Sequence, residues 1–256
     1  MPATGGPLRT STSREQMTDS QVALLSVVAL DAAVAGFVIG GFWISVVLLR
    51  NFGNKVGYSL APLGFSRPKG GTLAGIGVGI AVGVGALLLS MIVNPLSVLV
   101  LDRLGYSAES TLQRPFMQGL TDWVRESPGM AVPAIVLVVV IFGPAVEELV
   151  FRGVVFNGLY RLGAVISTRS KAKGGSVSPS GRLLFVSSAL ASSVLFALLH
   201  RELVLVPILL VLAMVLCSLF QRTGSLLPSF VAHATFNSFA TSLIILSGLG
   251  ILDMPI

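Results

Sequence analysis

The sequence predicts an all-α fold, a polytopic membrane helical bundle of about six transmembrane helices, and three observations carry that prediction. Only 11% of the 256 residues are charged, 54% are apolar, and the mean hydropathy is +0.89. A soluble domain carries about a quarter charged residues, because water must wet its surface, so an ordinary water-soluble enzyme is excluded, and disorder, which needs a polar chain, is excluded with it. Apolar stretches recur at about 21–49, 72–101, 132–158, 183–200, 203–220 and 226–250. At 1.5 Å per residue these suit a hydrocarbon core of about 30 Å. Backbone groups in lipid must be paired within the protein, and runs of this length far exceed the ~10 residues of a barrel strand, so each stretch is a helix.

Residues 1–20 are small and polar and lack the apolar core of a secretory signal, which makes them a flexible N-terminal tail. The first span follows at 21–49. The second opens on GGTLAGIGVGIAVGVG (70–85), a poor helix in water, but in a bilayer small residues at this spacing let helices approach closely. A phosphate loop would also need its lysine. Segment 102–131 connects the second span to the third, and 159–182 connects the third to the fourth. Within the latter, STRSKAKGGSVSPSG (167–181) is low in apolar residues and reads as a mobile loop. Short turns separate the last three spans. Ten Lys/Arg lie in 50–69, 159–182 and 221–225, against six in the tail, 102–131 and Arg201. Basic residues collect on the cytoplasmic side, so both termini face outward and the strongly basic loops face the cytoplasm. The net charge of +6 then records topology and calls for no nucleic acid partner. The single cysteine, Cys217, excludes an internal disulfide or a cysteine-based metal cage.

An ionisable group inside a span is costly unless paired or hydrated, so each marks a functional site by default. Here they cluster: Asp31 in the first span, Glu147, Glu148 and Arg152 in the third, His200 at the end of the fourth, His233 with Asn237 in the last. Both histidines of the chain are in the set. Glu148 and Arg152, four apart, share a helix face and can pair. Glu147 is rotated about 100° away and has no equal partner on its own helix, which leaves it free to act as a general base. Phe196 and His200 share a face, so the ring can wall a pocket and orient the imidazole. His233 and Asn237 share another and can converge on an oxyanion. Counted from the cytoplasmic ends, Glu147 and Asn237 both lie about 16 Å deep, His233 about 10 Å and His200 about 27 Å. His200 reaches the others only if its helix begins beyond the membrane surface or tilts.

The chain has no HExxH, GxGD or GxSG motif, which removes the zincin, intramembrane aspartyl and serine routes. What remains is a glutamate that takes a proton from water, a histidine that positions that water or returns the proton to a leaving amine, and a His/Asn pair for the oxyanion. Two histidines and a glutamate are equally a zinc donor set, and the sequence leaves both chemistries open. A non-catalytic membrane adaptor or immunity protein is the rival reading. A proton-coupled transporter using Glu147 and Asp31 would need paired halves or broken helices at matching positions, and no internal repeat is visible.

EELVFR (147–152), FALLH (196–200) and HATFN (233–237) match the motifs EExxxR, FxxxH and HxxxN, in that order, in successive parts of a multi-span chain. This resembles the CPBP (CAAX protease and bacteriocin-processing, or ABI) family of intramembrane endopeptidases, to which the Ras converting enzyme belongs. FRGVVFNGLYR and RTGSLLPSFVAHATFN are similar to bacterial members, and LGFSRP (63–68) is a further, weaker echo. The resemblance covers roughly residues 140–245. It implies Glu147 and His200 as the water-activating pair, Glu148 and Arg152 as their support, and His233 and Asn237 as the oxyanion pair. It implies a glutamate mechanism without a cofactor, although the family was first described as metal-dependent, so a zinc metalloprotease stays open. It further implies a substrate that is a membrane-associated or lipidated peptide or protein and a multi-pass location in a bacterial cytoplasmic membrane. With the spans read above, the chain divides into the tail (1–20), two helices with an extracytoplasmic loop (21–130) and a catalytic four-helix core (131–256). Eukaryotic members process prenylated CAAX proteins; bacteriocin maturation, self-immunity and membrane-protein processing are implied for bacterial ones.

Overall fold

A computed structural model describes residues 19–52, 57, 59–106, 113–172 and 181–252. The tail read at 1–20 therefore lies, but for its last two residues, outside the described residues. Among those described, every regular element is helical, and six helices are long and apolar enough to span a bilayer: Gln21–Asn51, Thr72–Arg103, Pro128–Thr168, Gly181–Leu199, Leu203–Thr223 and Leu226–Gly248. The protein is an all-α polytopic bundle and a multi-pass membrane protein. Its outer faces carry rows of exposed apolar side chains, such as Leu30, Phe37 and Ile44 on the first helix and Leu88, Met91 and Ile92 on the second. A soluble monomer rarely shows contiguous apolar surface on this scale; lipid covers it here.

Helix α1 is Asp19–Asn51 and α2 is Thr72–Arg103. The connection 102–131 contains a further helix, α3 (Gln113–Glu126), which the sequence reading had passed over as loop. Its apolar stripe buries Leu120, Trp123 and Val124 against Leu24, Ile135 and Ile244, so it plugs one end of the bundle. The third span is longer than expected. It runs without a break through α4 (Pro128–Ile135), a π-helical stretch Val136–Phe142, α5 (Gly143–Glu148), a second π-helical stretch Leu149–Phe156, and α6 (Asn157–Ala172). Forty-one residues from Pro128 to Thr168 extend about 60 Å, twice the hydrocarbon core, so α6 continues past the bilayer. Residues 167–172, expected in a mobile loop, are the last turns of α6, because its helical ladder runs on past the apolar run; residues 173–180 lie outside the described set.

The last three helices are α7 (Gly181–Leu199), α8 (Val206–Thr223) and α9 (Leu226–Gly248). α9 is the hub, packing on α2, α3, α8 and the long third span. The α2 contact depends on the glycines. A β-carbon on Gly79 would stand 2.7 Å from the Pro228 carbonyl oxygen, and one on Gly83 2.6 Å from that of Ala232. Gly75, Gly79 and Gly83, each four apart, form the buried stripe of α2, whereas Gly77 and Gly85 face open space. Small residues thus bring the α2 backbone against the turn of α9 that carries His233.

Candidate active site

Glu147 and Glu148 end the short α-helical turn between the two π-helical stretches. A π turn takes one residue more than an α turn and often marks functional positions, since it re-aims the side chains that follow. Glu148 points into the bundle with no exposed surface. Its Oε1 lies 2.9 Å from Arg152 Nη1 and accepts a hydrogen bond from His233 Nδ1 at 3.0 Å. Arg152 is also fully buried. None of its guanidinium nitrogens makes an aligned hydrogen bond, so the contact to Glu148 is ionic, and the guanidinium carbon sits 4.8 Å from the centroid of the Phe196 ring. Charge pairing and the ring face together make this cation tolerable inside the membrane.

Glu147 faces another way. Its side chain is 32% exposed, yet Oε2 is turned inward and has no hydrogen-bond partner. The nearest basic atom is His233 Nε2 at 3.7 Å, a charge contact longer than a hydrogen bond. His233 therefore stands between the two glutamates. Because a carboxylate only accepts, Nδ1 of His233 carries the hydrogen toward Glu148, and Nε2 is the atom presented to Glu147.

His200 closes α7. Its Nδ1 donates to the Phe196 carbonyl at 2.8 Å, which leaves Nε2 as the free lone pair of the neutral ring. The next residue, Arg201, has φ of 57°, a left-handed conformation unusual for a side chain of its size, which stops the helix directly after the imidazole. Phe196 is the hub of the site: its ring lies 4.6 Å from that of His200, 5.7 Å from His233 and 5.0 Å from Phe151. The sequence reading placed His200 beside Glu147. Among the described residues His200 makes no ion pair or hydrogen bond with either glutamate, and His233 holds the nearer position. α7 begins at Gly181, the start from which the depth of His200 was counted.

Asn237 is one turn beyond His233 on α9. Its Nδ2 donates to the Val139 carbonyl at 3.1 Å. The cause lies in the third span, where Gly143 N–H bonds the Val138 carbonyl five residues back. The next donor in that register would be residue 144, which is proline and has no N–H. Val139 is left with an open carbonyl, and Asn237 fills it. One of the two amide hydrogens is thereby committed and the other remains available. The sequence displayed Pro144 but not this pairing, because the π register cannot be seen in a uniformly apolar run.

A cavity of about 630 Å³ lies against the buried side of this cluster, lined mainly by apolar groups and touched by Glu148 but not by Glu147. Its far wall is the LGFSRP segment. Gly64, with φ of 98°, turns the chain, and its carbonyl accepts from Leu226 N–H at 3.0 Å. Ser225 Oγ donates to the Ser66 carbonyl at 2.6 Å, and Asn157 Nδ2 donates to the Pro62 carbonyl at 2.7 Å. These bonds hold the segment across the entrance between α5 and α9. Among the described residues, no three His, Cys, Asp or Glu side chains converge in a way that could hold one metal ion; Glu148 and His233 are engaged with one another, and His200 stands apart.

Fold and site define a multi-pass membrane protein with a glutamate–histidine centre set within its spans. Residues 129–239, which carry all six motif residues, match the Rce1-like family model, described as type II CAAX prenyl endopeptidase Rce1-like. Comparisons with curated proteins and with solved structures gave no match.

Proposed function

We propose that the protein is an intramembrane endopeptidase that hydrolyses peptide bonds in membrane-associated or lipidated protein substrates without a metal. The observation that carries this reading is Glu147 Oε2, a buried carboxylate oxygen with no hydrogen-bond partner, 3.7 Å from His233 Nε2 and beside a second glutamate whose Oε1 is engaged by both Arg152 and His233. It is an acceptor ready for the hydrogen of a water. Glu147 takes that proton as the oxygen bonds to the scissile carbonyl carbon, and the free Nε2 of His200 orients the water or relays the proton to the departing amine. The carbonyl oxygen becomes negative and is met by the remaining N–H of Asn237 and, when the His233 ring carries hydrogens on both nitrogens, by its Nε2–H. Glu148 and Arg152 fix the orientation of His233. The apolar cavity behind Glu148 holds a hydrophobic portion of the substrate, which a membrane-anchored peptide supplies. A bacterial cytoplasmic membrane, with the cavity mouth toward the cytoplasm, is the setting that the basic loops favour.

The test is cleavage by purified protein in proteoliposomes. Glu147→Ala and His200→Ala are expected to lose about 10²-fold or more in kcat/KM, the usual worth of a positioned acid or base. If both variants cleave at the wild-type rate, the proposal fails. Metal content of the purified protein, with activity measured in chelator, tests the metal-free step separately. A non-catalytic immunity or adaptor role in the same fold predicts instead that both variants keep full protection of cells.

A further inference from the structure

The segments 50–69, 159–182 and 221–225 hold ten Lys and Arg and no Asp or Glu. The connection on the opposite face, 102–131, mixes four acidic residues with three arginines, and Arg125 there pairs with Asp122 at 2.6 Å. Topology accounts for an excess of bases on one face, but acidic residues contribute little to it, so the missing acids call for another cause. Arg67, Lys69 and Arg222 are all exposed. Among the described residues, none of the three makes a side-chain hydrogen bond or an ion pair.

These cations stand where the LGFSRP segment meets the α8–α9 turn. Lys69 N–H donates to the Thr223 carbonyl at 3.0 Å, directly after Arg222, and Lys69 Cε lies 3.9 Å from the point where a β-carbon on Gly224 would stand. Arg67 is held from both sides: Ser66 Oγ donates to the Gly224 carbonyl, Ser225 Oγ donates to the Ser66 carbonyl, and Pro68 is buried with its own φ fixed. The backbone is clamped, yet the guanidinium is bound to nothing, and Arg67 lines the cavity of about 630 Å³. The walls behind it are apolar and include Phe65, Phe142, Leu149, Leu227 and Phe230. Glu148 is the one acid in the lining, and its Oε1 is engaged by Arg152 and His233. The volume falls within the ~300–1,000 Å³ of ligand pockets. A free cation at the rim of an apolar cavity, on a face without acids, is complementary to an amphiphile with an anionic head and an apolar chain.

We propose that this cavity binds an anionic glycerophospholipid of the surrounding membrane: one acyl chain fills the apolar interior, and the phosphate rests on Arg67 with Lys69 and Arg222 at its rim. Anionic lipids are drawn to clustered Lys and Arg at a membrane face, and a guanidinium meets phosphate oxygens in a two-pronged geometry. The apolar walls select a lipid over a soluble anion, since only a chain gains by leaving water for them. Lipid and substrate exclude each other there, because the apolar portion of the substrate is assigned to the same space; that consequence alone rests on the endopeptidase reading.

The test uses the full-length protein in phosphatidylcholine nanodiscs, with spin-labelled phosphatidylglycerol and spin-labelled phosphatidylcholine as probes, and reads the motionally restricted fraction of each. The wild type should hold phosphatidylglycerol in preference to phosphatidylcholine. Arg67→Gln should lower that preference about fivefold, the worth of one cation at an anionic surface. Leu227→Trp, which narrows the cavity and keeps every charge, should lower it too, while Arg103→Gln at the far end of α2 should leave it unchanged. The proposal is overturned if the wild type shows no preference or if Arg67→Gln keeps it. A preference that survives Leu227→Trp is diffuse attraction to a basic face and overturns it equally. Absence of the preference, together with a KM raised by Arg67→Gln in pure phosphatidylcholine, would assign the guanidinium to an acidic peptide instead. The lipid readout needs no cleavage: preference in a protein that cleaves nothing leaves the site standing and fells the endopeptidase reading, and cleavage without preference does the reverse.

Discussion

Arg152 and Glu148 are both without exposed surface, and that fixes how each will respond to substitution. Removing one member of a buried ion pair leaves the other charge without compensation, at a cost of about 3–5 kcal/mol. Arg152→Ala should therefore lower the thermal midpoint in detergent sharply, whereas the double variant Glu148→Leu/Arg152→Leu should recover much of that loss, since no buried charge remains. Equal losses in the single and double variants would show that the pair is not coupled. Asn237 has two separable functions. Asn237→Leu forfeits the bond to the Val139 carbonyl, worth about 0.6–2 kcal/mol in a membrane protein, and should lower kcat about 10²-fold if the second N–H meets the oxyanion. Loss of stability with full kcat would confine Asn237 to its structural bond. Much of the cluster could be read from the sequence, because charges are rare in spans and i, i+4 spacing shows which of them share a face. The glutamate–arginine pair was foreseen on that ground. That His233, not His200, would stand nearest Glu147 was not legible, since it depends on how α7 and α9 rotate against the third span. Phe196 was read as a ring that walls a pocket and orients the His200 imidazole; it does lie against His200, and Arg152 and His233 rest on it as well.

The glycine pattern of α2 makes a sharper test at the level of elements. Gly83→Leu forces a side chain into the Ala232 carbonyl, one residue from His233, while Gly77→Leu and Gly85→Leu point into lipid. Overpacking costs about 1–3 kcal/mol. Gly83→Leu should reduce stability by that amount and cleavage by about tenfold, with the two control variants close to wild type in both thermal midpoint and rate. Matching behaviour in all three would contradict the α2–α9 packing. The sequence indicated close packing somewhere in 70–85 but not which glycines provide it, because seven of these sixteen residues are glycine and only a partner helix distinguishes them. The two π-helical stretches were invisible for a related reason: in a run that is apolar on all sides, changing the residues per turn leaves no trace in the hydropathy pattern. Helix α3 escaped notice because its polar face resembles a loop by composition, while its apolar stripe covers only part of it.

At the scale of the whole molecule, five of the six spans were legible to within a few residues, since lipid imposes length and composition more strictly than water imposes either. The third span is the exception that matters for function. It continues well beyond the membrane and holds LGFSRP through Asn157, so the cavity wall, the two glutamates and α6 form one mechanical unit. The proposed function is that this bundle uses Glu147 to hydrolyse peptide bonds of proteins lodged in the membrane. The most direct measurement is terminal proteomics on membranes from cells lacking the protein, after adding back either wild type or Glu147→Gln in proteoliposomes. New protein termini should form with the wild type and be absent with Glu147→Gln; the same termini from both proteins, or none from either, would contradict the claim.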